Sequence, residues 1–303
     1  MISFPQLGQY GRLGNQLFQY AFLRFTARRL GTKFYCPEWV GDKIFDLKDH
    51  AERVSSPEGI RRVYVEPQSN CGFNPEALKI SDHTEVKGFF QSEKYFTDPI
   101  EVKKWYTFRD PAVLNIKKKY SAIDFSQSVS ISLRINDDYN EARGLYPLYT
   151  LGYFLQGLSR VRRKKHILVF SDNPGRAKIF FRNLNSKNIV FMDGNNAVED
   201  LYLISLCHDN IIVNSSFAWW GAWLNGHEDK TVILPKEWFR TGNPIKISGI
   251  TCEDWIALPG VRPVIDHYFV WQFQFRLRRK RKHLADSLSS IWPARAGKKT
   301  TRI

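Results

Sequence analysis

The sequence predicts an α/β fold in which two Rossmann-like halves face a cleft and a basic C-terminal tail follows. Three observations carry this. Through the second half, short apolar runs closed by turn residues alternate with helical stretches, the pattern of a parallel sheet covered on both faces. The N-terminus repeats the order strand, glycine-rich turn, helix. Hydrophobic residues make up 43% of the 303 residues and aromatics 15%, ample for a large core and incompatible with a disordered chain. The length suits two domains of about 150 residues each, and the boundaries read as 1–120, 121–260 and a tail over 261–303.

Taken in order, Ile2 to Leu7 reads as a strand and Gly8 to Gly14 as a glycine-rich turn. Asn15 to Leu30 reads as a helix burying Leu17, Phe18, Ala21 and Phe22. The polar stretch from Asp98 to Phe125 is a helical link. In it, Asp98-Pro99 and Asp110-Pro111 each read as an N-cap followed by proline at the first helical position. Val129 to Leu133 alternates like a strand, and Ile167 to Phe170 and Asn188 to Met192 are fully apolar runs, each closed by a turn cluster. Glu199 to Cys207 has helical spacing, Ile211 to Val213 is a buried strand, and Asn214-Ser215-Ser216 caps an apolar helix from Phe217 to Leu224. Thr231 to Pro235 closes the series. Trp219, Trp220 and Trp223 read as core and not as a stacking platform.

The formal net charge is +15, and it is unevenly spread. Residues 276–303 contain ten Lys or Arg and one acid, Asp286, so the tail carries +9 and leaves +6 for the body. Trp271, Phe273 and Phe275 precede its basic block. Aromatics followed by cations suit an anionic membrane surface; they suit nucleic-acid phosphates less well here, and a solvated tail is the plain alternative. Cys36, Cys71, Cys207 and Cys252 lie far apart without a CxxC pair, which favours reduced thiols over disulfides or zinc. No apolar run reaches the ~18 residues of a membrane span, and Met1–Phe18 has no basic, signal-like start. A cytoplasmic protein, peripheral at most to a membrane, is the expectation.

Four segments could carry chemistry. A strand entering Asn214-Ser215-Ser216-Phe217 and a helix offers free N–H groups and hydroxyls to a phosphate, although Ser is also a common structural cap. Arg134, at a strand end, has the planar fork that binds two phosphate oxygens. Asp137 and Asp138, with Glu141, could hold a divalent metal or form a surface turn; they make no DxD, and no metal is expected. Gly8, Gly11 and Gly14 do not form the GxGxxG dinucleotide fingerprint, but they leave Arg12 free to reach across the cleft.

Together these segments resemble the inverting α-1,2-fucosyltransferases, glycosyltransferase family 11. Gly11-Arg12-Leu13-Gly14-Asn15-Gln16-Leu17-Phe18 is similar to that family's opening signature, and Gly88-Phe89-Phe90-Gln91-Ser92-Glu93-Lys94-Tyr95-Phe96 to a second stretch. Phe170-Ser171-Asp172 resembles its F-S-D motif, and Asp200 through Asn225 its most distinctive block. The resemblance implies a GT-B enzyme without cofactor or metal that uses GDP-fucose as donor substrate. A glycan or lipid-linked oligosaccharide would be the acceptor. It implies that Arg134 holds the β-phosphate, that Ser215 and Ser216 add donors, and that Asp172, after Ser171, meets the guanine edge. Gly14 and Asn15 would face the cleft, and Asp137 is the candidate base beside Arg12 and Arg134. One departure stands out. The family's H-x-R-R-G-D-Y aligns with Ser132, Leu133, Arg134, Ile135, Asn136, Asp137 and Asp138, keeping only the first Arg and the Asp.

Overall fold

Proline and burial decide how the N-terminal apolar run is used. Ile2–Ser3 (β1) forms a strand of two residues, shorter than the predicted Ile2–Leu7, because Pro5 brings no N–H to continue the ladder. The run still packs inward, with Phe4 and Leu7 fully buried. In this computed structural model, which describes residues 1–136, 145–184, 186–240 and 242–260, β1 pairs in parallel with β2 (Phe34–Tyr35) and β5 (Thr84–Lys87). The strand β3 (Arg62–Val65) adds beyond β5, giving the order β2-β1-β5-β3. The helix α1 (Leu13–Arg29) follows β1 through the glycine turn. The short α2 (Gly41–Ile44) and then α3 (Pro99–Trp105) and α4 (Asp110–Lys119) come before the second sheet. Asp98 caps α3 as expected, its side chain accepting from Glu101 N. Asp110 is instead the first residue of α4, and Arg109 is the cap residue, without a side-chain bond.

The second half builds six parallel strands: β6 (Ser128–Leu133), β7 (His166–Ser171), β8 (Ile189–Met192), β9 (Asp209–Ile211), β10 (Val232–Pro235) and β12 (Ile256–Leu258). Their order is β12-β10-β9-β6-β7-β8. By appearance this is the doubly wound order 6-5-4-1-2-3, whose direction reverses between β6 and β9. The connecting helices are α5 (Leu151–Arg160), α6 (Pro174–Phe180), α7 (Ala197–Leu206) and α8 (Ser216–Leu224). β9 ends at Ile211, two residues before the predicted end, because Ser215 N turns back onto Val213 O at 2.7 Å. The alternation of Val129 to Leu133 does not mark a solvent face. All six residues of β6 are buried, and Ser130 accepts from Asn210 Nδ2 at 2.7 Å. A two-stranded parallel ladder, β4 (Asn70–Gly72) with β11 (Lys246–Ser248), straps the late chain to the first half.

One hydrophobic cluster joins the first sheet to α8 and β10, and a second packs β7 and α7 against α4. The three tryptophans of α8 are buried, as the sequence predicts, but against the first half: Phe18 lies 4.6 Å from Trp219 and 4.8 Å from Trp220, and Phe96 lies 5.5 Å from Trp223. Trp219 Nε1 donates to Ile250 O and Trp223 Nε1 to Glu93 Oε2. With sheet on one side and α8 on the other, α1 buries Gln16, Gln19 and Arg24 along with its apolar residues. The four cysteines are free thiols. Among the described residues no helix is long and apolar enough to cross a membrane. The basic tail, with the membrane and nucleic-acid readings attached to it, lies outside the described residues.

The helices α1 and α8 touch through backbone. A Cβ on Gly14 would stand 2.4 Å from Phe217 N and 2.6 Å from Ser216 C, so only glycine fits. Gly14→Ala is therefore expected to destabilise the protein by about 1–3 kcal/mol through overpacking. Gly226→Ala, where nothing lies within 4 Å, should leave stability nearly unchanged. Chemical denaturation of both variants checks the contrast.

Candidate active site

In an open parallel sheet, ligands bind at the carboxyl ends of strands flanking the order reversal. Both sheets obey this rule here. In the first sheet β1 and β5 are neighbours, β1 leading into the Gly8–Gly14 loop and β5 into Gly88-Phe89-Phe90-Gln91. In the second, β6 leads to Arg134 and β9 to Asn214-Ser215-Ser216. The four segments line one cavity of about 1430 Å³, larger than a typical small-ligand pocket of ~300–1,000 Å³ and sized for two substrates together.

The glycine loop is shaped from α1. Gln16 Nε2 donates to Gly8 O (3.2 Å) and Gly11 O (2.9 Å), and Gly11 adopts φ +83°, a conformation only glycine takes readily. Arg12, exposed on this loop, lines the cavity. Asn15 is a junction: its Oδ1 accepts from Ser216 Oγ (2.7 Å) and from Gln91 Nε2 (2.7 Å), so it joins all three segments that meet there.

On the opposite wall, Ser215 caps α8 by accepting from Ala218 N, and Asn214 Nδ2 donates to Trp238 O (2.8 Å). Two of the four predicted side chains in this turn, Asn214 and Ser215, are thus committed to building it. What the turn presents to the cavity is helix-end backbone, the Ser216 hydroxyl and the ring of Phe217. No acidic residue stands in the first turn of α1 or of α8, so neither helix carries a carboxylate of its own at its positive end. At its other end α8 is capped by cations: Lys230 Nζ donates to Ala222 O (3.0 Å) and Asn225 O (2.6 Å), and Lys103 reaches Asn225 O. Burial, and secondarily Lys103, pulls the Lys230 amine down to about 8.

Arg134 follows β6 and pairs with Asp172, its Nε 3.5 Å from Oδ2, while Asp172 Oδ1 accepts from Ile135 N (2.9 Å). Asp172 is accordingly a brace for the end of β6 and for Arg134. Ser171 Oγ accepts from Asn173 N and shapes the adjoining turn. Asp137, with Asp138 and Glu141, lies outside the described residues.

Three site residues had no reading of their own in the sequence. Tyr146 is raised in pKa by burial and drawn back first by Arg134 and then by Arg12, which brings both guanidinium groups to one neighbourhood. Glu66 is buried and accepts from Phe89 N and Phe90 N; burial raises its pKa, and the two backbone donors oppose the rise. Asp200 sat inside a recognised block without a role. It lines the cavity with Met192, Ile204 and Phe217, takes a hydrogen bond from Asn195, and is pushed by burial up to about 6. Only tertiary burial marks these residues; no local spacing could have found them.

Two parallel sheets presenting their carboxyl edges to one cavity, lined also by helix N-termini and arginines, form a fold of the GT-B type. The family follows from direct comparison. The chain belongs to glycosyltransferase family 11, the model described as "Glycosyl transferase family 11" matching residues 6–258. It is 35% identical over 127 residues to the O-antigen biosynthesis glycosyltransferase WbnK of Escherichia coli, a match covering 41% of this chain and 40% of that protein. It is 32% identical over 165 residues to an α-1,2-colitosyltransferase of Escherichia coli, covering 51% of this chain and 56% of that protein. The matches thus span about half the length of these relatives. In fold it is similar to POFUT1 in complex with GDP, with a TM-score of 0.52 at 13% identity over 76% of this chain and 97% of that one.

Asp200 gives this site a pH signature. Its folded-state pKa, about 6, lies above the ordinary value of 3.8, so between those values the folded protein binds the extra proton. The contribution of Asp200 to stability is therefore greatest below the lower value and is lost as pH rises through the upper one. Relative to Asp200→Asn, wild type should lose roughly 2–3 kcal/mol between pH 4 and pH 7. Denaturant midpoints of both proteins at the two pH values measure it.

Proposed function

We propose that the protein transfers fucose from GDP-fucose to a hydroxyl of a glycan, forming an α-1,2 linkage by a single inverting displacement without a metal ion. The observation that carries this reading is the convergence of positive groups on one wall-to-wall cavity. Arg134, Arg12 and the N-termini of α1 and α8, which hold no acidic residue in their first turns, suit a diphosphate, and they suit it better as it departs and gains charge. In this reading Arg134 and the free backbone N–H groups at the N-terminus of α8 hold the phosphates, the Ser216 hydroxyl being engaged with Asn15 Oδ1, while Arg12 reaches them from the first half. The nucleoside lies among Met192, Ile204 and Phe217, with the Asp200 carboxylate accepting from the N–H groups of the guanine edge. Asp172 serves by fixing Arg134. The acceptor hydroxyl attacks from the side of the first sheet and loses its proton to Asp137, the carboxylate retained from the family motif. Family membership and the relatives' names support the reaction class; the α-1,2 linkage is the one the colitosyltransferase's name carries.

A second donor has its own support. Ser132 and Ile135 stand where the family motif has His and Arg, and a relative named for colitose transfer covers half of the chain. Another GDP-6-deoxysugar is the alternative these two observations favour.

The experiment is a GDP-sugar panel with a galactose-terminated acceptor, with and without EDTA, scored for GDP release. Release from GDP-fucose that EDTA leaves intact is expected, and release confined to another GDP-sugar selects the second reading. GDP binding with no turnover of any donor would make the protein a nucleotide binder and end the enzymatic account. Arg134→Lys should lower kcat by about 10²-fold, since a bidentate fork becomes a point charge at the departing phosphate.

A further inference from the structure

One part of the cavity is built with care and is not used by the donor. Tyr10, on the glycine loop, stacks on Phe89 with ring centroids 4.6 Å apart and planes 10° from parallel. The pair is not core. Tyr10 is 38% exposed, no described residue bonds its hydroxyl, and both rings line the cavity. Three buried polar side chains nevertheless hold the two backbones that carry it. Gln19, fully buried in α1, donates from Nε2 to both Tyr10 O (3.1 Å) and Gly88 O (3.0 Å), clamping the two loops together. Glu66, from the end of β3, accepts from Phe89 N and Phe90 N. Gln16 fixes the loop on either side of Tyr10 through Gly8 and Gly11.

Backbone strain sits at the same place. Phe90 has φ +52°, one of three non-glycine residues with positive φ among those described, and its ring is locked on Phe22 at 3.7 Å. Strain of this kind persists where surrounding structure over-determines it, and it collects at ligand sites. Burying the amides of Gln16 and Gln19 leaves the Oε1 atom of each without a hydrogen-bond partner among the described residues. Such a cost is out of proportion to holding two surface loops, unless the geometry of the rings matters.

We propose that the Tyr10–Phe89 stack is the platform for the acceptor sugar, with Gln19 as its positioning clamp. This rests on the glycosyl-transfer reading above and adds the class of ligand: a neutral pyranose presenting an apolar C–H face. Since Phe89 covers one face of Tyr10, the exposed part of Tyr10 offers an electron-rich ring surface that attracts the positive C–H groups of such a sugar. The neighbouring side chains supply partners for hydroxyls. Gln6 stands in the same turn as Tyr10, and Gln68 follows Glu66; both are exposed amides lining the cavity. Of the cations on that wall, Lys87 is paired with Glu85 at 3.0 Å and Arg12 serves the diphosphate in the reading above, which fits an uncharged ligand at the rings.

The test uses the full chain with GDP-fucose and lactose. Tyr10→Ala should raise the KM for lactose at least about 10-fold while the KM for GDP-fucose moves by less than about twofold. Phe89→Leu should shift lactose in the same direction, and Tyr10→Phe, which keeps the ring, should retain the wild-type value. An unchanged lactose KM in Tyr10→Ala, or a rise confined to the donor, overturns the platform while transfer itself stands. Should wild type turn over no GDP-sugar, saturation-transfer NMR with lactose alone decides the matter. Saturation of the galactose ring protons that disappears in Tyr10→Ala supports the platform without the transfer reading; equal signals from the two proteins overturn it.

Discussion

At Gly14 two backbones pass where no side chain fits, with Phe217 N and the Ser216 carbonyl carbon both under 3 Å from any Cβ that might be added. Through that approach α1 and α8, one from each sheet, meet at their positive ends. The hydrogen bonds of Asn15 to Ser216 and to Gln91 join the same point to β5. Below it the tryptophans of α8 fill the core of the first half, so the register of one sheet against the other is set by packing and not left to a hinge. The cavity, the direction of Arg12 and the distance between the donor and acceptor walls all follow from this junction.

The charge of the site has the same origin. A helix end attracts an anion only if its dipole is not cancelled locally, and α1 and α8 keep acidic residues out of their first turns. The far end of α8 is occupied by Lys230 and Lys103, which compensates the negative pole away from the cavity. Much of the positive field therefore comes from backbone and geometry, and only part from Arg134 and Arg12. In the proposed reading, a body carrying a modest share of the net charge offers a diphosphate its positive groups in this way.

Sequence patterning disclosed five of the six strands of the second sheet, because strands buried on both faces read as apolar runs; β12 and α5 had no reading, and β9 was read two residues late. The first sheet was less legible: β1 and β2 are two residues each, too short for any period, and their burial comes from flanking residues such as Phe4. Residues near the site were found where a local motif marks them, as with Gly14, Asn15, Arg134 and Ser216. Tyr146, Glu66 and Asp200 have no such mark, since only the folded surroundings bury them. Asp172 shows the opposite limit. Its motif is plain, yet both carboxylate oxygens face groups at the end of β6, a use that no spacing could announce.

In the proposed reading one diphosphate is held jointly, by the second sheet's Ser216 turn and Arg134 and by Arg12 from the first. A crystal structure of the full chain with GDP decides it. The phosphates are expected within hydrogen-bond distance of Ser216 and Arg134, with the Arg12 guanidinium reaching the same group across the Gly14 junction. Diphosphate bound wholly by one half, or lying away from the α8 N-terminus, would contradict it.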